Sequence, residues 1–319
     1  MLLGWLLRNL ARNKLSVFVF HKIPKTRDPL LPNELDFAQF TRLLNFIQKN
    51  FLVLPLGDAL KQLSRGALER GCACLTFDDG YSEWASGALS LLEKRSLPAT
   101  FFITVGQFLG RPMWHERLAR IVRYSAGDML NTSAFRLPSL PIASLHEKQK
   151  ALLALEYHFK YLPPVLRDVY LESLENQCGV SARDVPTMTE EQLRTVSSLG
   201  FEIGSHTIDH PILGLCDSMA ARNEIGGARE ILEGMLRVPV KAFAYPNGRP
   251  PIDFNHQHVE MVRQAGYDYA VTTQWGTATA DTSVYQIPRF TPWGPDTVRA
   301  HLQVIRNLLV KSELDKKYH

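Results

Sequence analysis

The chain has 319 residues, enough for one large α/β domain or two small ones, and enough to bury a substantial core. Hydrophobic residues make up 45% and charged residues 21%, an ordinary globular balance that excludes a low-complexity or disordered chain. The net charge is +4, from 36 basic and 32 acidic residues, and no basic stripe interleaved with aromatics appears, which argues against a nucleic-acid partner.

Much of the positive charge lies at the start, where Arg8, Arg12, Lys14, Lys22, Lys25 and Arg27 face Asp28 alone within the first thirty residues. The apolar run Met1-Leu2-Leu3-Gly4-Trp5-Leu6-Leu7 precedes them. It is shorter than the ~20 residues that span a bilayer. Its apolar-then-basic order is the reverse of a signal peptide, and no small-residue cleavage site follows. Residues 1–14 therefore read as an amphipathic helix. It either packs on the domain or lies on a membrane surface through Trp5 and its arginines. The expected location is the cytoplasm, with peripheral contact at the inner membrane face as an option.

Strand and helix patterns then alternate, which predicts α/β architecture with parallel strands. Ser16–Phe20 is a short strand ending at His21, and 36–49 carry apolar residues at helical spacing. A strand at Phe51–Leu54 and a helix at Gly57–Ser64 follow. Cys72–Phe77 is a buried strand that delivers Asp78 and Asp79 to its end, before a helix at 83–95. Next come a strand at Ala99–Val105 and a helix starting at Trp114. Residues 126–188 interrupt the alternation with two helical patterns, near 147–158 and 164–177, and read as an insertion. Alternation resumes with a helix at 189–199, a strand at Phe201–Gly204 and a helix at 217–236. The strand Val240–Tyr245, a helix near 256–265 and the strand Tyr269–Thr272 follow. A short run at Tyr285–Pro288 and a helix near 296–310 close the pattern. That makes about seven strands, and the charged motifs fall at their C-terminal ends, the edge that builds the active site of a parallel β/α barrel.

Cys72 and Cys74 lie two apart in a strand and share a side, but no second close pair completes a zinc ribbon with them. With Cys178 and Cys216 they read as small buried hydrophobes in a reducing compartment.

Two distant stretches carry the chemistry. Leu75-Thr76-Phe77-Asp78-Asp79-Gly80-Tyr81 offers adjacent carboxylates, with a glycine that permits a sharp turn bringing both inward. Gly204-Ser205-His206-Thr207-Ile208-Asp209-His210 offers two imidazoles four residues apart, on one face if the segment is helical. Asp209 would point away, as a loop residue. Two neutral nitrogens and one carboxylate oxygen make a three-ligand set for a divalent ion, with a position left for water. The spare carboxylate can serve as a base, which is the equipment of a metal-assisted hydrolase.

These motifs resemble the polysaccharide deacetylases of the NodB-homology group, carbohydrate esterase family 4. Thr76–Tyr81 matches the family's first motif, Ser205–His210 its second, and Phe243–Gly248 resembles its third. The resemblance covers roughly 15–115 and 189–290. It implies a distorted (β/α) barrel of about seven strands, so that 15–319 form the catalytic domain with the helical insertion inside. It implies that Asp79, His206 and His210 bind Zn²⁺, or another divalent ion such as Co²⁺ or Ni²⁺, and that Asp78 is the general base. The backbone N–H of Tyr81 would hold the oxyanion. The third motif departs from the family, because Ala244 stands where an arginine is usual. The late Leu-x-His motif that supplies the general acid is also not visible, and His301 reads as a surface residue. A subgroup resembling poly-N-acetylglucosamine deacetylases carries an early histidine, and Phe20-His21-Lys22-Ile23 matches that pattern. His21 is thus the candidate general acid, and Arg289 the candidate replacement for the missing arginine, orienting Asp78.

Trp114 and Tyr245 are candidate sugar-stacking surfaces, with Asn247 and His115 as candidate partners for sugar hydroxyls. The expected activity is removal of the N-acetyl group from an N-acetylhexosamine in a glycan or glycolipid. The alternatives are O-deacetylation or deformylation on the same scaffold, or a catalytically silent carbohydrate-binding barrel.

Overall fold

The computed structural model describes residues 7, 9–69, 71–181, 187–292 and 297–310. Seven strands form one sheet: β1 (Leu15–Phe20), β2 (Leu52–Val53), β3 (Cys72–Asp79), β4 (Thr100–Ile103), β5 (Glu202–Ser205), β6 (Ala242–Ala244) and β7 (Tyr269–Val271). The order is β1-β3-β4-β5-β6-β7, every pairing is parallel, and β2 adds to β3 at Cys72 and Ala73. Parallel strands need crossovers, and the helices provide them. These are α1 (Phe37–Asn50), α2 (Leu56–Ser64), α3 (Ala88–Lys94), α4 (Trp114–Tyr124), α5 (Leu145–Lys160), α6 (Pro164–Cys178), α7 (Glu190–Ser198), α8 (Ala228–Leu236), α9 (His256–Gln264) and α10 (Thr297–Leu309).

The predicted strand at Tyr285–Pro288 forms no ladder. Instead Ile287 bridges Val271 of β7, and Phe290 bridges Phe18 of β1. Thr272 N–H donates to the Ile287 carbonyl at 2.8 Å, and Phe290 N–H to the Val17 carbonyl at 3.1 Å. Pro288 has no N–H to extend a ladder. The segment therefore ties the two edges of the sheet together and curls it into a distorted barrel.

Side-chain parity explains where the core sits. Leu15 and Val17, Cys72 and Cys74, Phe102, Ala242 and Ala244, Val271 and Ile287 share one apolar cluster, with α2 plugging its base. These are alternate residues of their strands, so they face one way, into the barrel. The opposite parity, including Phe18, Phe20, Leu75, Phe77, Phe101 and Phe243, packs outward against the helices. A third cluster binds α4 to α5 and α6 through Trp114, Leu118, Leu152, Leu155, Phe159, Leu171 and Leu174, so these three helices share a core separate from that of the barrel.

Two helix expectations need correction. The helix at 83–95 is broken at Gly87, which leaves helical geometry at φ −156° and packs against the Phe37 ring, where a Cβ would meet ring carbon at 3.1 Å. The helix at 217–236 contains a π-helical turn at Asn223–Gly227. Half of the expected N-terminal helix over 1–14, residues 1–6 and 8, lies outside the described residues. Leu7 and Ala11 are described, and both are fully buried in the main core. Among the described residues, no helix is long and apolar enough to cross a membrane.

Candidate active site

The inward parity of the strands continues into the site. On β3, Thr76 and Asp78 follow Cys72 and Cys74. His21 follows Val17 and Val19 past the end of β1, His206 follows Gly204, and Arg289 follows Ile287. Asp79 would face outward on that count. It is instead turned by a positive φ of 88°, with Gly80 next at 92°. A non-glycine residue in that region is strained by ~1–3 kcal/mol and persists only where its surroundings hold it. Gln107 holds this one: its Nε2 donates to the Asp79 carbonyl at 2.9 Å and to the Thr104 carbonyl at 3.0 Å.

His206 and His210 do not lie on a helix. The segment between them is a tight loop in which Thr207 and His210 adopt φ of 67° and 53°. The fold of that loop, and no helical turn, aims both rings at Asp79. Glu224, in the π-helical turn, accepts the N–H groups of Ile208 and Asp209 at 2.8 and 2.9 Å and pins the loop. Asp209 itself points outward and pairs with Arg111 at 2.7 Å.

His206 Nε2 lies 3.5 Å and His210 Nε2 3.6 Å from Asp79 Oδ1. The three donor atoms all fall within 4.8 Å of one another, in a buried group. The Asp79 Oδ1 atom is buried and has no hydrogen-bond partner. His206 Nδ1 bonds the Ala244 carbonyl at 2.7 Å, which requires the proton on Nδ1 and leaves the Nε2 lone pair free. Burial holds His206 down to about 4, against the pull of Asp78, and drives His210 well below its ordinary value. Both rings are therefore neutral at pH 7, the form that ligates. Burial, and then the neighbouring charge of Asp78, push the Asp79 carboxyl well above its ordinary value. An orphaned carboxylate oxygen and two neutral imidazoles converging on it fit a divalent cation.

Asp78 meets the opposite fate. Arg289 grips it with a two-pronged contact, Nη1 to Oδ1 at 2.7 Å and Nη2 to Oδ2 at 2.6 Å. Burial alone would raise the Asp78 carboxyl, but the Arg289 charge and hydrogen bonds outweigh it and hold the group below its ordinary value. Arg289 is itself fixed by the Thr272 carbonyl at 2.9 Å and Thr76 Oγ1 at 3.0 Å. A carboxylate accepts about four hydrogen bonds, so capacity remains beside the arginine.

His21 stands at the mouth of the barrel, exposed toward a cavity of about 320 Å³ shared with Lys22, Asn33, Glu34 and Thr291. Surrounding protein lowers its pKa, the Asp78 charge opposes that, and this coupling puts it within electrostatic reach of the proposed base. Tyr81 is buried, and its hydroxyl lies 3.1 Å from His115 Nε2. The His115 ring in turn sits 5.8 Å from that of His210. Asn247 is half-buried at φ 57°, with its Nδ2 buried and unpartnered.

Two predicted stacking surfaces are otherwise employed. Tyr245 is fully buried and stacks on Phe254 at 3.8 Å and 3°, leaving no ring face for a sugar. Trp114 is 7% exposed, with Arg167 lying 4.9 Å over its ring. An aromatic at a strand end can equally be a core residue, and packing partners distant in sequence decided both cases. His301 is half-buried and stacks on Phe46 at 3.8 Å, and it is not among the residues that converge on Asp79. Sequence reasoning missed Gln107, Glu224 and Arg167, which act through contacts 28, 16 and 53 residues away and carry no local signature.

Comparison with known proteins agrees with this geometry. The family model described as polysaccharide deacetylase matches residues 65–141 and 172–270, together more than half of the chain. YxkH of Bacillus subtilis (strain 168), a polysaccharide deacetylase by its description, is 28% identical over 126 residues. That match covers 40% of this chain and 44% of YxkH, so it spans less than half of that relative. Among solved structures, the Streptococcus pyogenes deacetylase PplD in complex with acetate has a TM-score of 0.61 at 17% identity, covering 91% of this chain and 97% of that one. IcaB from Ammonifex degensii gives 0.56 at 16%, covering 93% and 98%. At those identities the two structures establish the fold, a curled parallel sheet ringed by helices. The chain belongs to the polysaccharide deacetylase family.

Proposed function

We propose that the protein is a metal-dependent hydrolase that removes the N-acetyl group from an N-acetylhexosamine in a glycan or lipid-linked glycan. The observation that carries this reading is the pairing of two adjacent carboxylates with different partners. Asp78 is locked ionised by Arg289, and Asp79 is left open toward His206 and His210. Bound by Asp79, His206 and His210, an ion such as Zn²⁺ would supply Lewis acidity toward the acetyl carbonyl and bring the pKa of water near 7.

The chain's own groups do the rest. Asp78 takes a proton from the attacking water, and Arg289 keeps it oriented and charged. The Tyr81 backbone N–H faces the developing oxyanion, a contact that strengthens as charge accumulates. His21 gives a proton to the departing nitrogen. That nitrogen must leave as an amine, so the reaction requires an acid at this position. Acetate and a free amine on the sugar are the products.

The test is metal analysis coupled to acetate release from a panel of acetylated glycans. Asp79→Ala, His206→Ala and His210→Ala are expected to lose the metal, whereas Asp78→Asn keeps it and loses turnover. Full metal occupancy in a double-histidine variant would defeat the site assignment. Turnover of an ester but not of the matching amide would assign the protein to O-deacetylation.

A further inference from the structure

Helix α6 places a buried arginine against Trp114, at the end of a row of rings that leads to His210. Arg167 is 3% exposed, and its guanidinium stacks over Trp114 at 4.9 Å. Trp114 adjoins His115 at 5.6 Å between rings, and His115 adjoins His210 at 5.8 Å. The positive charge of Arg167 is felt at both His115 and His210. Yet among the described residues this guanidinium makes no ion pair and no hydrogen bond. Its Nε is buried without a partner, and so is Nε1 of the indole beneath it. The carboxylates whose charge reaches it are committed elsewhere: Asp168 to Arg117 at 3.3 Å, and Glu224 to the backbone of Ile208 and Asp209.

A buried, unpaired cation is costly, and native structures rarely keep orphaned buried donors without a reason. This one also adjoins a set of cation ligands, where its charge opposes metal binding. Burial lowers its pKa only to about 10, so it stays charged at neutral pH. Two orphaned donors in one stack would make a cradle for an oxyanion. Arg167 also lies in the stretch between the two segments matched by the family model. Trp114 lies within the first of those segments, so the feature joins a matched stretch to an unmatched one.

We propose that Arg167, with the Trp114 indole N–H, binds a negatively charged group of the glycan substrate, a phosphate ester or a carboxylate carried next to the acetylated sugar. This rests on the deacetylase reading above and gives the insertion a role as a specificity wall. It predicts a preference for acidic over neutral glycans.

The test compares metal-loaded protein on three oligomers: neutral N-acetylglucosamine, the same oligomer bearing a phosphate ester, and the same oligomer bearing a carboxylate. The wild type is expected to favour at least one charged oligomer in kcat/KM by about 10- to 100-fold, the range of one charge-assisted hydrogen bond. Raising the ionic strength should shrink that preference. Arg167→Met retains the apolar stem over Trp114, and its ratio of charged to neutral turnover should fall toward one at unchanged metal content. Arg167→Lys, the better-tolerated variant, should keep part of the ratio. Which charged oligomer responds identifies the anion. Calorimetry with glucosamine 6-phosphate against glucosamine gives a readout independent of turnover, and the phosphate increment should vanish in Arg167→Met. A wild type that turns over all three equally would overturn the proposal, as would a preference indifferent to both Arg167 variants. So would an Arg167 effect confined to inhibition by acetate, which would assign the cradle to the leaving acyl group. No turnover of any oligomer at full metal content would instead sink the deacetylase reading.

Discussion

Replacing Arg289 by methionine tests the electrostatic design of the site. The substitution keeps volume and removes the partner of a carboxylate that is 1% exposed. Stranding a buried charge costs ~3–5 kcal/mol. The Thr272 carbonyl also loses its Arg289 donor, which adds ~1 kcal/mol. The expected loss is therefore ~4–6 kcal/mol. At ~2.1 cal/mol/K per residue over 319 residues, the unfolding entropy is roughly 0.7 kcal/mol/K, so the Tm should fall by roughly 6–9 °C. The assay is thermal and urea unfolding of chelated protein, because bound metal would mask part of the loss. The pH dependence carries the diagnosis. In the wild type the folded Asp78 carboxyl lies below its unfolded value, so its stabilisation is complete above the unfolded pKa and is lost only as pH falls through the folded one. In Arg289→Met, burial is no longer opposed by the guanidinium, so the folded pKa rises above the unfolded one and acidification stabilises. The gap between wild type and variant should therefore narrow from pH 7 to pH 5. Adding Asp78→Asn to Arg289→Met should recover a large part of the loss, since no charge is then stranded. A gap under ~1 kcal/mol, a gap independent of pH, or a double variant no better than the single would refute the reasoning.

The remaining predictions concern geometry and the acid. Gly80→Ala should destabilise by ~2–4 kcal/mol, because φ is +92° and the new Cβ would collide with the Gln107 amide that holds the Asp79 carbonyl. Weaker metal retention should accompany the loss, and a variant with wild-type stability and metal affinity would show that the turn is not held as described. His21→Ala should lower turnover by about 10²- to 10⁴-fold while leaving the metal bound. An unchanged rate removes His21 from the mechanism.

Period-2 reading carried most of the barrel. Cys72, Cys74, Thr76 and Asp78 lie on one face of a strand whatever the rest of the fold does, and His206 and Arg289 obey the same count on theirs. The two carboxylates and the two histidines stood out by residue chemistry and spacing, and Arg289 through the resemblance, whose third motif lacks its usual arginine here. The conformation joining His206 to His210 was not legible. A spacing of four fits a helix, but Thr207 and His210 adopt left-handed backbone angles that no helix contains. Gly87 shows the same limit, since its helix break depends on a ring from α1. Tyr245 failed as a sugar platform for a similar reason: only the chain path from Ala244 to Phe254 shows that its ring is already covered. Arg167 had no local signal at all, because its meaning lies in what fails to approach it.

Asp78 and Asp79 are neighbours in one strand, yet their carboxyls are driven in opposite directions, one down by Arg289 and the other up by burial and by Asp78 itself. Adjacent carboxyls in one solvent would titrate alike, so the difference is imposed by the fold, and on the proposed reading it separates their duties. A base must be ionised and fixed, and Asp78 is both. A ligand must be oriented but unsatisfied, and Asp79 is that. The separation needs a cation at the position facing Asp78, and the barrel fixes only where that position is, not which strand end supplies the residue. Ala244, which stands where the resembled motif has an arginine, gives its carbonyl to His206, while the segment that closes the sheet brings Arg289 to the Asp78 carboxylate. On the proposed reading the base needs charge at one point in space, whichever strand end supplies it.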